Sequence, residues 1–252
     1  GSSVYLKCGD TYSLEDLLYG LMLRSGNDCA EALALHTSGS IDAFAQRMNE
    51  TAQKAGALES CFKNPHGLPL EGHYTTARDL NLIACYAMQN DAFRQIVGTR
   101  YYQPRNWANK NKMLKNYEGA VGIKTGYTKQ AGRCLVSAAE KKGMTLVCTV
   151  LNCSPMYERS QQLLDEAFAA YENVRILGAD TPVRVKVKGK TEAGYTKEDL
   201  YYPLLPEEQL HLKMEIISRE EMGAMGKNDE IIGQIKIYLI NRLLFSRNLY
   251  KL

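Results

Sequence analysis

The spacing of apolar residues changes period partway along the chain, and that change limits the folds open to it. Over roughly the first 90 residues the spacing is helical. Ser13, with Asp16 three residues on, reads as an N-cap ahead of Leu17, Leu18, Leu21 and Met22. A second helix is expected from Asp28, carrying Cys29, Ala32 and Leu33, to near Gly39. Ser40 opens a third, with Phe44, Met48 and Ala52 on one face and Gly56 as its stop signal. The Asn-Pro and His-Gly pairs of "FKNPHGLP" mark a loop, and Thr76 caps a helix through Leu80, Ile83, Ala84 and Ala87. Beyond about residue 98, residues 134–139 and 144–151 are strand-prone on either side of "EKKG", a hairpin signal. Residues 156–171 return to helical spacing through Leu163, Leu164, Ala167 and Phe168. This order gives an α+β class, helices packed on an antiparallel sheet.

From about Val174 apolar and basic residues alternate, as in "PVRVKVKGK", which fits half-buried strands. "LHLKMEII" and "EIIGQIKIYL" behave alike. A boundary is therefore expected near 173–180, dividing a first domain, 1–173, from a small β-rich second domain, 174–252. Residues 231–252 fit two patterns. One is a helix whose Lys236, Arg242, Arg247 and Lys251 suit a membrane surface. The other is a hairpin turning near Asn241-Arg242. The strict alternation of Ile235, Ile237 and Leu239 favours the hairpin.

The 252 residues are 45% apolar and 23% charged, enough for a sizeable core. The net charge of +3 comes without a basic, aromatic-laced stripe, so no nucleic-acid partner is expected. No run of 18 apolar residues offers a transmembrane helix, and no signal peptide is visible. The chain opens at Gly1 without a Met, as a processed or trimmed product would. Of the seven cysteines, Cys29, Cys85, Cys134 and Cys148 lie in apolar runs and are expected to be small buried hydrophobes. There is no C-x-x-C and no clustered His, so neither a metal site nor any cofactor is expected.

Two triplets carry chemistry: Ser25-Gly26-Asn27 between two helices, and Lys124-Thr125-Gly126 within "GAVGIKTGYT" beside the hairpin. Each has an ordinary explanation. Ser and Asn favour helix-linking turns, and Lys124 fits a solvated strand residue before a turn. Their joint occurrence in these settings is what singles them out.

With "LLYGLMLRSGNDCAEALA", "FKNPHGLP", "TTARDLNLIA" and "GIKTGYTKQAGRCLVSAA" in this order, the chain resembles the penicillin-binding D-alanyl-D-alanine carboxypeptidases of the S11 type. These are related to serine β-lactamases and carry Ser-x-x-Lys, Ser-x-Asn and Lys-Thr-Gly motifs. The likeness covers residues 1–173 well. It extends more loosely to the β-rich remainder, where "GQIKIYLINRLLFSRNLY" looks like that domain's last two strands. The resemblance implies a β-lactamase/transpeptidase-like domain, lacking its N-terminal segment, followed by a small all-β domain.

The same resemblance assigns roles. Ser25 would help shuttle a proton among lysines, and Asn27 would bond the substrate peptide. Lys124 and Thr125 would hold the substrate carboxylate. Gly126 and Tyr127 would pair with the substrate backbone, with the Tyr127 N–H forming half of an oxyanion hole. Arg159 matches a family Arg facing the terminal D-Ala carboxylate; a solvated helix charge is its plainer reading. His66 reads as structural. The implied activity is hydrolytic: removal of the terminal D-Ala from peptidoglycan stem pentapeptides through an acyl-enzyme, blocked by β-lactams. The implied setting is cell-wall biosynthesis and cell shape, in a secreted or outer-face protein.

The family nucleophile motif lies upstream of Ser-x-Asn, and no Ser-x-x-Lys occurs ahead of Ser25 in this sequence. Ser60-Cys61-Phe62-Lys63 fits the string but follows Ser25 and falls in a loop, whereas the serine and lysine must share a helical face. The chain alone is therefore expected to be inactive and to form no penicillin adduct. Without the upstream segment, apolar faces and a sheet edge should be open to an intermolecular contact. A non-catalytic fragment or pseudoenzyme that binds wall peptides or a partner is the alternative. A β-lactamase is disfavoured by the second domain and by the lack of a Glu-bearing deacylation loop between the triplets.

Overall fold

The computed structural model describes residues 1–223 and 230–251. The chain forms two compact units. The first comprises Gly1–Lys141 with Thr145–Ala167, the second Lys142–Met144 with Phe168–Leu252.

The first unit begins with an extended segment and then runs α1 (Leu14–Arg24), α2 (Asn27–Ser38) and α3 (Ile41–Lys54). Ser13 caps α1 in a reciprocal capping box with Asp16, as its spacing requires. Ser40 caps α3 by accepting from the Ala43 N–H. Thr76 does the same for α4 (Ala77–Ala87) at Asp79. A further helix, α5 (Asp91–Gly98), is capped by Asn90 and falls where the sequence gives only a weak signal. Short strands β1 (Tyr101–Tyr102) and β2 (Trp107–Ala108) pair with each other, and α6 (Met113–Asn116) follows. A three-stranded antiparallel sheet then forms in the order β3 (Ala120–Thr128), β4 (Gly132–Lys141), β5 (Met144–Val150). The helix α7 (Met156–Ala170) closes the series.

The core of this unit explains the order. Val97 of α5 and Ala84 of α4, with Met88 just after it, pack on Ile123 of β3 and Ala138 of β4. Beside them Tyr19 and Leu23 of α1 pack on Tyr102, whose ring stacks on Tyr19 with centroids 4.0 Å apart. Burying Leu23 completely is worth about 2 kcal/mol and fixes the end of α1. Asp16 also links α1 to the β1 region. It accepts from Arg105 at 2.8 Å and from the Tyr102 hydroxyl at 3.0 Å. The Arg105 bond is the main cause that lowers its pKa to about 2.

The second unit is β-rich. It pairs β6 (Glu172–Leu177) with β9 (Leu200–Leu204), and β7 (Val183–Val187) with β8 (Lys190–Gly194). A three-stranded sheet joins β10 (Leu212–Ser218), β11 (Ile231–Leu239) and β12 (Arg242–Tyr250). Its core contains Val185, Leu200, Ile235, Ile237 and Leu249, so the alternating residues of the sequence do face inward. Residues 231–250 form an antiparallel hairpin, not an amphipathic helix. Among the described residues no helix is long and apolar enough to cross a membrane.

Two local expectations need correction. Cys85 is exposed and Cys134 half-buried, so only Cys29 and Cys148 of the four act as buried hydrophobes. Cys85 lies on the outward side of α4, where an apolar neighbourhood in sequence does not mean burial. The second helix starts at Asn27, one residue earlier than expected, because Gly26 serves as its N-cap.

Candidate active site

The link between α1 and α2 is two residues long and built for close approach. Ser25 ends α1 in the left-handed region, φ 59° and ψ 39°. That conformation costs a non-glycine residue on the order of 1 kcal/mol and survives only where its surroundings hold it. Gly26 follows because a β-carbon there would meet Asp28 Oδ1 at 3.0 Å and Cys29 Sγ at 3.1 Å. The buried thiol of Cys29 is packed against this turn, and burial pushes it up to about 12, so it is an inert thiol. Asn27 then opens α2, its N–H donating to the Ser2 carbonyl at 2.9 Å.

Lys124 approaches from β3. Its amine donates to the Ser25 hydroxyl and, at 2.8 Å, to the Thr125 carbonyl. Burial is the largest influence on it, followed by the charge of Lys110, and together they lower its pKa to about 8. A lysine so tuned is still mostly protonated near pH 7, with a neutral fraction on the order of a tenth, far above that of an ordinary lysine. It can take a proton from a hydroxyl or return one.

Beyond Lys124 the strand continues through Thr125, Gly126 and Tyr127, paired with Leu135, Cys134 and Arg133 of β4. Among the described residues β3 is an edge strand of this sheet, the kind of position at which an extended peptide can add. Tyr127 is 67% exposed, its ring 5.9 Å from the Arg133 guanidinium. The fold thus brings Ser25, Asn27, Lys124 and Thr125 into one region, with Gly126 and Tyr127 extending it.

Among the described residues, no side-chain hydrogen bond or ion pair joins Arg159 to that region. It sits in the first turn of α7, exposed, and its charge acts on the Cys148 thiol of β5. Ser60 is committed elsewhere. It lies outside any helix, and its hydroxyl donates to Asp79 Oδ2 at 2.7 Å and bonds Thr75 at 2.8 Å. His66 faces Glu31 at 3.4 Å. Sequence reasoning missed Ser2, Asp28 and Lys110. Lys110 donates to the Ser2 hydroxyl at 3.0 Å, and its influence reaches Lys124. No motif marks these three, because their roles depend on where the loops close.

Comparison with known proteins gives the family and the fold. The D-alanyl-D-alanine carboxypeptidase family matches residues 1–154. The chain is 36% identical over 199 residues to the D-alanyl-D-alanine carboxypeptidase DacF of Bacillus subtilis, covering 75% of this chain and 51% of that protein. It is 31% identical over 268 residues to DacC of Escherichia coli, covering 99% of this chain and 66% of that one. The chain thus spans about half to two thirds of the length of these relatives. Among solved structures, penicillin binding protein 5 from Haemophilus influenzae superimposes with a TM-score of 0.73 at 25% identity, covering 99% of this chain and 76% of that one. A Streptomyces K15 DD-transpeptidase variant gives 0.62 at 34% identity, covering 67% and 73%. The likeness to these structures carries the fold, a penicillin-binding DD-peptidase domain followed by a small β-rich one. By motif order, fold and matched length, the chain belongs to the D-alanyl-D-alanine carboxypeptidase family.

Proposed function

We propose that residues 1–173 carry the auxiliary half of a serine D-Ala-D-Ala carboxypeptidase site, with 174–252 a separate β-rich domain. The reaction is release of the terminal D-Ala from a peptidoglycan stem pentapeptide through an acyl-enzyme, with β-lactams as acylating inhibitors. The observation that carries the reading is the Lys124 amine resting on the Ser25 hydroxyl, across 99 positions of sequence.

In this mechanism Ser25 and the tuned Lys124 pass the proton between the attacking hydroxyl and the leaving amine. Asn27 bonds the peptide. Lys124 and Thr125 hold the terminal carboxylate, and Arg159 of α7 is the further cation assigned to that carboxylate once substrate is bound. The substrate lies as an added strand along Gly126 and Tyr127, and the Tyr127 N–H donates to the developing oxyanion. The nucleophile of this mechanism is the serine of a helical Ser-x-x-Lys pair, which Ser60–Lys63, outside any helix, does not supply. Such a protein works outside the cytoplasmic membrane, on the cell wall.

Labelling with a fluorescent penicillin tests this. The 252-residue chain is expected to form no adduct, and a form bearing a Ser-x-x-Lys segment ahead of Gly1 to form one at that serine. An adduct at Ser60 would overturn the assignment. Failure of the extended form to label would favour a non-catalytic protein that binds wall peptides. We further infer that β5, the edge of this sheet opposite the substrate edge β3, leaves room for a covering segment or a second copy. A monodisperse monomer of the chain by light scattering would count against that covering.

A further inference from the structure

We propose that Asp28 is a positioning residue for this site: its carboxylate latches the segment Ser2–Leu6 across the start of α2 and thereby sets the surroundings of Asn27 and Lys124.

The geometry is specific. Asp28 Oδ2 accepts from the Ser3 hydroxyl at 2.6 Å and the Leu6 N–H at 3.0 Å. Oδ1 accepts from the Val4 N–H at 3.1 Å and the Cys29 N–H at 3.0 Å. An acidic residue in the first turn of a helix is common, and there it serves the helix's own free N–H groups. Asp28 differs, because three of these four donors come from a segment more than twenty residues away. The Val4 N–H is shared with Oδ2 at 3.2 Å, and with four donors in all the carboxylate's accepting capacity is largely used.

What the latch holds is next to the chemistry. Ser2, adjacent to Ser3, accepts the Asn27 N–H at its carbonyl and the Lys110 amine at its hydroxyl. The Lys110 backbone in turn donates to Leu23 at 3.1 Å, two residues before Ser25. The segment therefore bridges the turn that carries Ser25 and Asn27 to the loop that carries Lys110, and it brings the Lys110 charge to bear on Lys124. Release of the segment frees Lys110 and admits water, and both changes favour protonated Lys124.

The inference rests on the site proposed above. Its test needs neither substrate nor turnover, so penicillin labelling and the latch fail independently. Lysine-labelled NMR on the 252-residue chain follows the Lys124 ε-carbon against pH, with amide exchange measured alongside. Asp28→Asn keeps size but turns an acceptor toward donors. It is expected to raise the Lys124 midpoint by ~1 unit toward the ordinary lysine value. The Asn27 amide should exchange at least about tenfold faster, while Leu135 in β4 stays protected. Ser3→Ala, which touches only the latch, should move both readouts the same way by less. A folded Asp28→Asn variant with both readouts unchanged overturns the proposal. Should that variant fail to fold, unchanged readouts in Ser3→Ala overturn it instead.

Discussion

The amine of Lys124, in the middle of β3, donates to the hydroxyl of Ser25, the left-handed residue that ends α1. Three devices make the contact. Leu23 anchors the end of α1 in the core, Gly26 lets Cys29 pack beneath the turn, and α5 presses β3 into place through Val97 and Ile123. None of them acts on substrate, yet each sets the position of a group that would.

Lys124 makes the first unit's stability depend on alkaline pH. Its folded pKa, about 8, lies below the ordinary 10.5. Between those values the unfolded chain binds more protons, so stability rises with pH from about 8 to 10.5. Relative to Lys124→Met, the wild type should gain on the order of 3 kcal/mol across that window. Denaturant titration read by Trp107, the single tryptophan, checks it. A parallel pH dependence in both proteins would contradict it.

Asp16 sets the acid limit. Its carboxyl is held at about 2, below the ordinary 3.8, first by the Arg105 hydrogen bond. Its contribution is complete above 3.8 and is lost as pH falls through 2, amounting to about 2 kcal/mol. Asp16→Asn should flatten the acid end of the Trp107 unfolding profile by that amount. At neutral pH, Asp16→Ala should cost about 3 kcal/mol, since it strips partners from Arg105 and Tyr102.

Leu23→Ala should cost about 3 kcal/mol, because a fully buried leucine leaves a cavity. It should also loosen the turn it anchors. Faster exchange of the Asn27 amide, beyond that of the β4 amides, is the expected signature. A uniform increase across the unit would show stability loss without a local effect.

Ser60→Ala should leave penicillin labelling of a form carrying an upstream Ser-x-x-Lys unchanged. It should cost about 1–2 kcal/mol, since Asp79 loses a donor in a buried position. Loss of labelling with the fold intact would return Ser60 to the catalytic machinery.

Local chemistry was legible wherever one short stretch settles it. The caps at Ser13, Ser40 and Thr76 each satisfy an N–H of their own first turn, so sequence spacing fixes them. The strict alternation of Ile235, Ile237 and Leu239 fixed the hairpin for the same reason. Cys85 misled because periodicity gives a face, whereas burial depends on which face meets a neighbour. The helix α5 was missed because eight residues offer little more than two turns of pattern.

The sequence by itself determined the residue types of the site, their order, and the elements that carry them. Tertiary structure decided which of them meet. Ser25 and Lys124 converge through packing of α1, α5 and β3, whereas Ser60 turns toward Asp79. It also enlisted Asp28, Ser2 and Lys110, which no motif marks. The physical reason is range. Caps and alternation act within a turn or between adjacent strands, while a proton-sharing contact depends on how several helices and a sheet bury their apolar faces together.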